Sequence, residues 1–252
     1  MIGVFAPRKA VLLTLFSVMA IKLAGANLTI AVSMFLFFLG MNGLSSCSVI
    51  DVDRLYHPKR DLPSGKIGLL DSFRISLLLL LFSILSSLYS ESLVAMVALV
   101  LVGISSAAIR MNHTFLSVLL EALTFFFAMM VPAFTTARFI YNFPLAWVVG
   151  LSFLLINLST ALERPYGFEN LNLPKIVGVE NTKYIFAMVA FLNAMWGMAP
   201  IVLMSLGYTL IYPFALSALA IATYLTLTDR HKEAGKALIV STLLYLVSLV
   251  TL

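Results

Sequence analysis

Between Asp51 and Gly65 the chain reads DVDRLYHPKRDLPSG, a dense run of ionisable groups set between long apolar segments. Asp51, Asp53 and Asp61 supply three of the eleven carboxylates, Arg54, Lys59 and Arg60 three of the sixteen basic side chains, and His57 one of three histidines. Such groups at the end of a membrane segment are costly unless they are solvated, paired or used on a polar ligand. Pro63-Ser64-Gly65 punctuates the run as a loop before the next apolar stretch. A second polar stretch, about 163–181, carries Glu163, Arg164, Glu169, Lys175 and Glu180. Glu121 lies inside an apolar run, where a carboxylate is a functional candidate by default. It reads equally as a protonated, hydrogen-bonded group in a packed bundle.

The elements that must position these groups follow from composition. Sixty-two per cent of the residues are hydrophobic and 11 % are charged, against about 25 % charged in soluble domains. Mean hydropathy is +1.05. The apolar runs lack the alternation of a transmembrane barrel, so the expected class is an all-α, polytopic membrane protein. A spanning helix needs ~20 mostly apolar residues. On that ruler there are nine expected spans, at about 9–26, 28–49, 68–89, 91–109, 114–135, 140–162, 182–204, 206–227 and 235–252. Arg8 and Lys9 before an apolar run ending in Ala24-Gly25-Ala26 look like a leader, but Lys22 interrupts the run, which reads as the first span.

With the amino terminus in the cytoplasm, fourteen of the sixteen Lys and Arg fall on the cytoplasmic side, leaving Lys22 and Arg138 outside. Cytoplasmic loops favour Lys and Arg, so the expected location is the cell membrane, multi-pass, with both long charged loops cytoplasmic. The basic residues are scattered without an aromatic stripe, which makes the net charge of +5 a topology signal rather than a nucleic-acid surface. The expected organisation is one transmembrane domain, 1–252. The charged loops follow the second and sixth spans, and each carries a Leu-Pro pair, Leu62-Pro63 and Leu173-Pro174. This suggests two four-helix repeats, about 9–109 and 114–227, plus a last helix 235–252. Cys47, the single cysteine, forbids an intrachain disulfide and reads as a small buried hydrophobe.

The run from Asp53 to Gly65, ending Arg60-Asp61-Leu62-Pro63-Ser64-Gly65, resembles the first signature of the UbiA superfamily of intramembrane prenyltransferases. In that family an aspartate-rich helix end precedes an Arg-Pro-hydrophobic-Pro-Ser-Gly loop. Leu173-Pro174-Lys175-Ile176-Val177-Gly178 resembles the segment after the second aspartate-rich signature, and the resemblance extends over essentially the whole chain. It implies a UbiA-like bundle that moves a prenyl group from a polyprenyl diphosphate to a lipid or aromatic acceptor. It also implies Mg²⁺ held by carboxylates, which neutralises the diphosphate, and basic side chains bonding its phosphate oxygens. On this resemblance Asp53 and Arg60 are the catalytic candidates. Arg54, Lys59, Arg110 and Arg164 are the diphosphate-binding candidates, and Asp51, Asp53, Glu163 and Glu169 the metal ligands.

The chain departs from the pattern. The other aspartate-signature positions fall on Ser45, Ser46 and Val49, and those of the second signature on Leu158, Ala161 and Pro165. Asp61 stands where the proline usually follows the arginine. Asp51 is an additional carboxylate, but two residues from Asp53 it lies on another helix face. Asp53 and Arg54 also read as a solvated helix end, Glu163 and Glu169 as a solvated loop, and His57 as exposed. Asn42 and Asn157 either lend amide oxygens to a polar pocket or link helices. Two functions therefore stand, a prenyltransferase and a catalytically inactive relative that binds an isoprenoid lipid. A transporter, which calls for helices broken at mid-membrane, ranks behind both.

Overall fold

The computed structural model describes residues 4, 7–56, 58–59, 61–111, 115–163, 173–204 and 211–250. Among them are eleven α-helices: α1 (Pro7–Ala24), α2 (Ile30–Ser48), α3 (Ile50–Tyr56), α4 (Leu69–Ser87), α5 (Leu93–Arg110), α6 (Phe115–Thr136), α7 (Phe139–Glu163), α8 (Leu173–Val177), α9 (Val179–Met204), α10 (Ile211–Leu227) and α11 (His231–Val250). Nine have 17 to 26 residues and coincide with the nine apolar segments. By length and composition, α2, α4, α5, α6 and α7 are long and apolar enough to cross a membrane. The short α3 and α8 belong to the two charged stretches.

Tight turns join the long helices, and each has a local cause. Gly25 ends α1 with φ +66°, and the Ala26 N–H bonds the Ile21 carbonyl at 3.0 Å. Only a residue without Cβ takes that conformation freely. Asn27 Oδ1 accepts from the Thr29 N–H at 3.0 Å and leads the chain into α2. Between α10 and α11 the left-handed residue is Asp229, φ +63°, and the Arg230 N–H closes on the Leu225 carbonyl at 2.8 Å.

The described residues form two compact units. The first comprises residues 1–112 and 127–139, with α1 to α5 and the end of α6. Its principal packing joins α2 to α4. The buried face of α4 is Ser72, Ser76, Leu80, Ser83 and Ser87, a stripe of small residues at helical spacing, while Phe73, Leu77, Leu78, Leu81, Phe82 and Leu85 face outward. This inverts the soluble pattern. Lipid is as apolar as leucine, so helices in it associate through close backbone approach and hydrogen bonds. Ser83 Oγ donates to the Ser33 carbonyl at 2.7 Å, Ser33 and Ser86 hydroxyls meet at 2.7 Å, and Cys47 Sγ reaches Ser72 Oγ at 3.4 Å.

The second unit comprises residues 113–126 and 140–252. Leu151, Leu155 and Leu158 of α7 pack with Phe186, Val189 and Ala190 of α9, Leu219 and Ala222 of α10, and Leu238 of α11. Polar links cross this core: Asn193 Nδ2 donates to Ser152 Oγ at 3.1 Å and Ser241 Oγ to the Ala215 carbonyl at 2.8 Å. Trp147 and Trp196 stack at 5.9 Å, with Phe143 edge-on to both.

In the α2–α4 contact Gly40 marks a close approach of the two helices. A Cβ there would stand 2.8 Å from Leu80 Cγ and 2.9 Å from the Ser76 carbonyl oxygen, which is backbone. At Gly103 the obstacle is the end of the flexible Met41 side chain, at 2.6 Å from Sδ. Gly40→Ala is expected to destabilise by about 1–3 kcal/mol, and Gly103→Ala by clearly less. Thermal unfolding in detergent checks the order, and equal melting temperatures for the two variants would refute this account of the contact.

Candidate functional site

The charged run begins where α2 fails to continue. Val49 (φ −112°, ψ 18°) leaves the helical region, and α3 starts again at Ile50. Two residues apart on this seven-residue helix, Asp51 and Asp53 face different ways: the Asp51 side chain is 83 % exposed, whereas Asp53 is buried at 9 %. Arg54 Nη1 pairs with Asp51 Oδ1 at 3.4 Å, both side chains largely in solvent. Pairs of that kind contribute little, so Arg54 remains available to a ligand at small cost. Lys59 is exposed in the following turn. Arg60 and His57 lie outside the described residues.

The Leu-Pro-Ser-Gly segment is a turn with a buried foot. The Asp61 carbonyl accepts from Ser64 Oγ and the Ile67 N–H, each at 3.2 Å, and the Gly65 N–H returns to the Leu62 carbonyl with Gly65 at φ +74°. Leu62 and Ile67 are buried with Val4, Cys47 and Ile50. Ser46, at one of the departed aspartate positions, spends its hydroxyl on the carbonyls of Val4 and Asn42 at 3.0 and 2.9 Å. It is thereby a packing residue. Arg110 closes α5, half-buried.

An apolar cavity of about 400 Å³ lies in the same unit, between the ends of α5 and α6 remote from Arg110. Ala95, Ala98, Leu99, Val102, Phe127 and Val131 line its body, with Glu91, Ser92 and Thr135 also on the wall. Two alanines on α5 leave the space that larger residues would fill.

In the second unit Glu163 is the exposed last residue of α7, and Lys175 is exposed on α8. Arg164 and Glu169 lie outside the described residues. Asn157 Nδ2 donates to Glu121 Oε2 at 3.4 Å, joining α7 to α6. Among the described residues no three His, Cys, Asp or Glu side chains form a group able to hold a metal ion by themselves.

The feature that sequence reading missed is Lys183. It counts there only as a topology charge, yet its side chain is 6 % exposed, on the second turn of α9. Its Nζ donates to Glu180 Oε1 at 2.7 Å and to Asp229 Oδ1 at 2.8 Å, and Asp229 stands 3.5 Å from His231 Nε2. Ser159 Oγ donates to the His231 carbonyl at 2.8 Å. The α10–α11 turn is thus fastened both to α9 and to the last turns of α7, at the end of this unit that carries Glu163. The one available sign was the i, i+3 spacing of Glu180 and Lys183.

The hydrogen bond from Lys183 holds the Asp229 carboxyl below the usual carboxylate range. A depressed carboxylate contributes stability above its unfolded pKa of ~4, and the contribution disappears as pH falls through the folded value. Asp229→Asn is therefore expected to melt below the wild type at neutral pH, with the two curves converging in strong acid. A constant gap from pH ~7 down to pH ~2 would contradict the assignment.

No family model and no curated protein matches this sequence. Solved structures do. A UbiA homolog from Aeropyrum pernix K1 superposes with a TM-score of 0.83 at 12 % identity, over 97 % of this chain and 98 % of that one. A structure of digeranylgeranylglyceryl phosphate synthase gives 0.73 at 17 % identity, over 100 % and 98 %. A UbiA homolog from Archaeoglobus fulgidus, bound to DMAPP and Mg²⁺, gives 0.60 at 13 % identity over the full length of both. Identities this low speak to architecture alone, and the architecture is the helical bundle of UbiA homologs.

Proposed function

We propose that this chain is a UbiA-type prenyltransferase, moving a prenyl group from a polyprenyl diphosphate to a lipid or aromatic acceptor within the membrane. The observation that carries the reading is the whole-length likeness to the UbiA homologs, one of them bound to DMAPP and Mg²⁺. The charged run and its buried-foot turn add to it, as does the apolar cavity of the first unit, whose size suits part of a prenyl chain. In this reading Arg54, Lys59, Arg60 and Arg110 donate to the diphosphate oxygens, and Asp53 and Arg60 act at the departing group. Charge-assisted bonds of this kind lower the cost of expelling a diphosphate next to hydrocarbon. Both charged stretches lie on the cytoplasmic side.

The fit of Mg²⁺ can be judged from the donor set. Asp51 and Asp53 face different ways on α3, so the pair does not close on one ion. Mg²⁺ is commonly held by one or two carboxylates together with substrate phosphates, and Asp53 on its own suits that mode. When bound, the ion supplies charge neutralisation at the diphosphate. The chain's own residues orient the donor and exclude water from the allylic carbon.

A second reading keeps the fold and the lipid but not the reaction. It is favoured by Ser46, whose hydroxyl is committed to packing where the family pattern places a carboxylate. Incubating the purified protein with geranylgeranyl diphosphate, Mg²⁺ and lipid or aromatic acceptors decides between the two. The transferase reading expects diphosphate release that Asp53→Ala reduces by ~100-fold or more. Prenyl-lipid binding without release by the wild type selects the inactive relative.

A further inference from the structure

The charged run and the apolar cavity belong to one unit, and the helices between them fix how far apart they stand. α2 and α5 run in the same direction. α2 is antiparallel to α4, with Ser33 against Ser83 and Cys47 against Ser72, and the chain turns back through Glu91 (φ +57°) into α5. Met41 meets α5 at Gly103, where a Cβ would stand 2.6 Å from its Sδ. Seven residues on from that contact α2 ends at Ser48, and seven residues on α5 ends at Arg110. Arg110 therefore closes α5 at the level where α3 and the charged run begin.

From Arg110 back to Ala98 is twelve residues, about 18 Å of helix, and back to Ala95 fifteen, about 22 Å. The stretch between is open along one stripe of α5: Ala98, Leu101, Ser105 and Ala108 are exposed at helical spacing, and all but Leu101 are small. The stripe runs from the end that carries Arg110 into the cavity, where Ala95 and Ala98 leave the space that Leu99, Val102, Phe127 and Val131 enclose. Polar groups mark the far end, with Glu91, Ser92 and Thr135 on the wall and the Ser92 hydroxyl 2.7 Å from that of Ser90. A hydrocarbon chain fits as far as that wall and no further.

Each isoprene unit adds about 5 Å to an extended prenyl chain. With the diphosphate at the level of Arg110, a two-unit chain ends about 10 Å down, more than a helical turn short of Ala98. A four-unit chain ends about 20 Å down, at the level of Ala95 and Ala98. We propose that the cavity receives the far end of the donor's prenyl chain, and that Ala95 and Ala98 set the preferred length at about four isoprene units; this rests on reading the charged run as a prenyl diphosphate site. Burial alone gives a long chain no advantage in a membrane, because hydrocarbon surrounds it either way. The preference comes from close contact with the cavity wall, which a short chain does not reach.

The test uses the full chain in nanodiscs with Mg²⁺ and compares the affinities of geranyl and geranylgeranyl diphosphate. The wild type is expected to bind the four-unit compound ~10-fold or more tightly than the two-unit one. Ala98→Phe, which fills the cavity, should remove that preference by weakening geranylgeranyl diphosphate alone. Leu81→Phe, on the outward face of α4, should leave it in place. Should Ala98→Phe fail to fold, Ala95→Leu on the same wall decides. Equal affinities in the wild type, or a loss in the variant that is the same for both compounds, assigns the cavity to a bilayer acyl chain and overturns the proposal. Diphosphate release is counted in parallel with the lipid and aromatic acceptors. Length-selective binding without release overturns the transferase reading and leaves this assignment standing, whereas no binding of either diphosphate overturns both.

Discussion

Hydrocarbon cannot hydrogen-bond, and most of this molecule follows from that constraint. Every polar atom inside a spanning segment needs its partner within the protein. The serines and threonines show how the chain meets the requirement. Thr14, Ser17, Ser76, Thr124, Thr160 and Thr226 return their hydroxyls to the carbonyl four residues earlier. Others are turned across a helix contact, as Ser83 is toward Ser33 and Ser241 toward Ala215. The same constraint drives the charged groups to the ends of helices, and what assembles there is a consequence of having nowhere else to go.

The positions of the long helices were legible because apolar runs of bilayer length stand out in a sequence, and five of the described helices have the length and composition of a span. The opposite environments of Asp51 and Asp53 were also legible, because two residues along a helix is a change of face. Other features depended on packing that no local pattern announces. The break at Val49 lies inside an unbroken apolar-to-charged transition. The serine stripe of α4 is a helix–helix interface written in residues that ordinarily signal exposure. Lys183 looks in the sequence like any loop charge. Its burial depends on Asp229, forty-six residues further on.

The chemistry divides in the same way. The Leu62-Pro63-Ser64-Gly65 turn was readable as a motif, and its physical role, a hydrogen-bonded loop with Leu62 and Ile67 anchored below it, came from the structure. The replaced aspartates were readable as absences. Ser46 gives one of them a positive meaning, since its hydroxyl now binds Val4. The register that sets Glu121 against Asn157 required two helices to be aligned, which single-sequence periodicity does not do.

Val4 is buried at 5 % in the small cluster under the charged run, its carbonyl held by Ser46. It acts as a wedge beneath the Leu-Pro-Ser-Gly turn, packed with Leu62 and Ile67. A bulkier or a polar side chain at this one position would press on the turn and disturb the charged run without touching any of its ionisable residues. Activity lost that way would report on packing and not on chemistry.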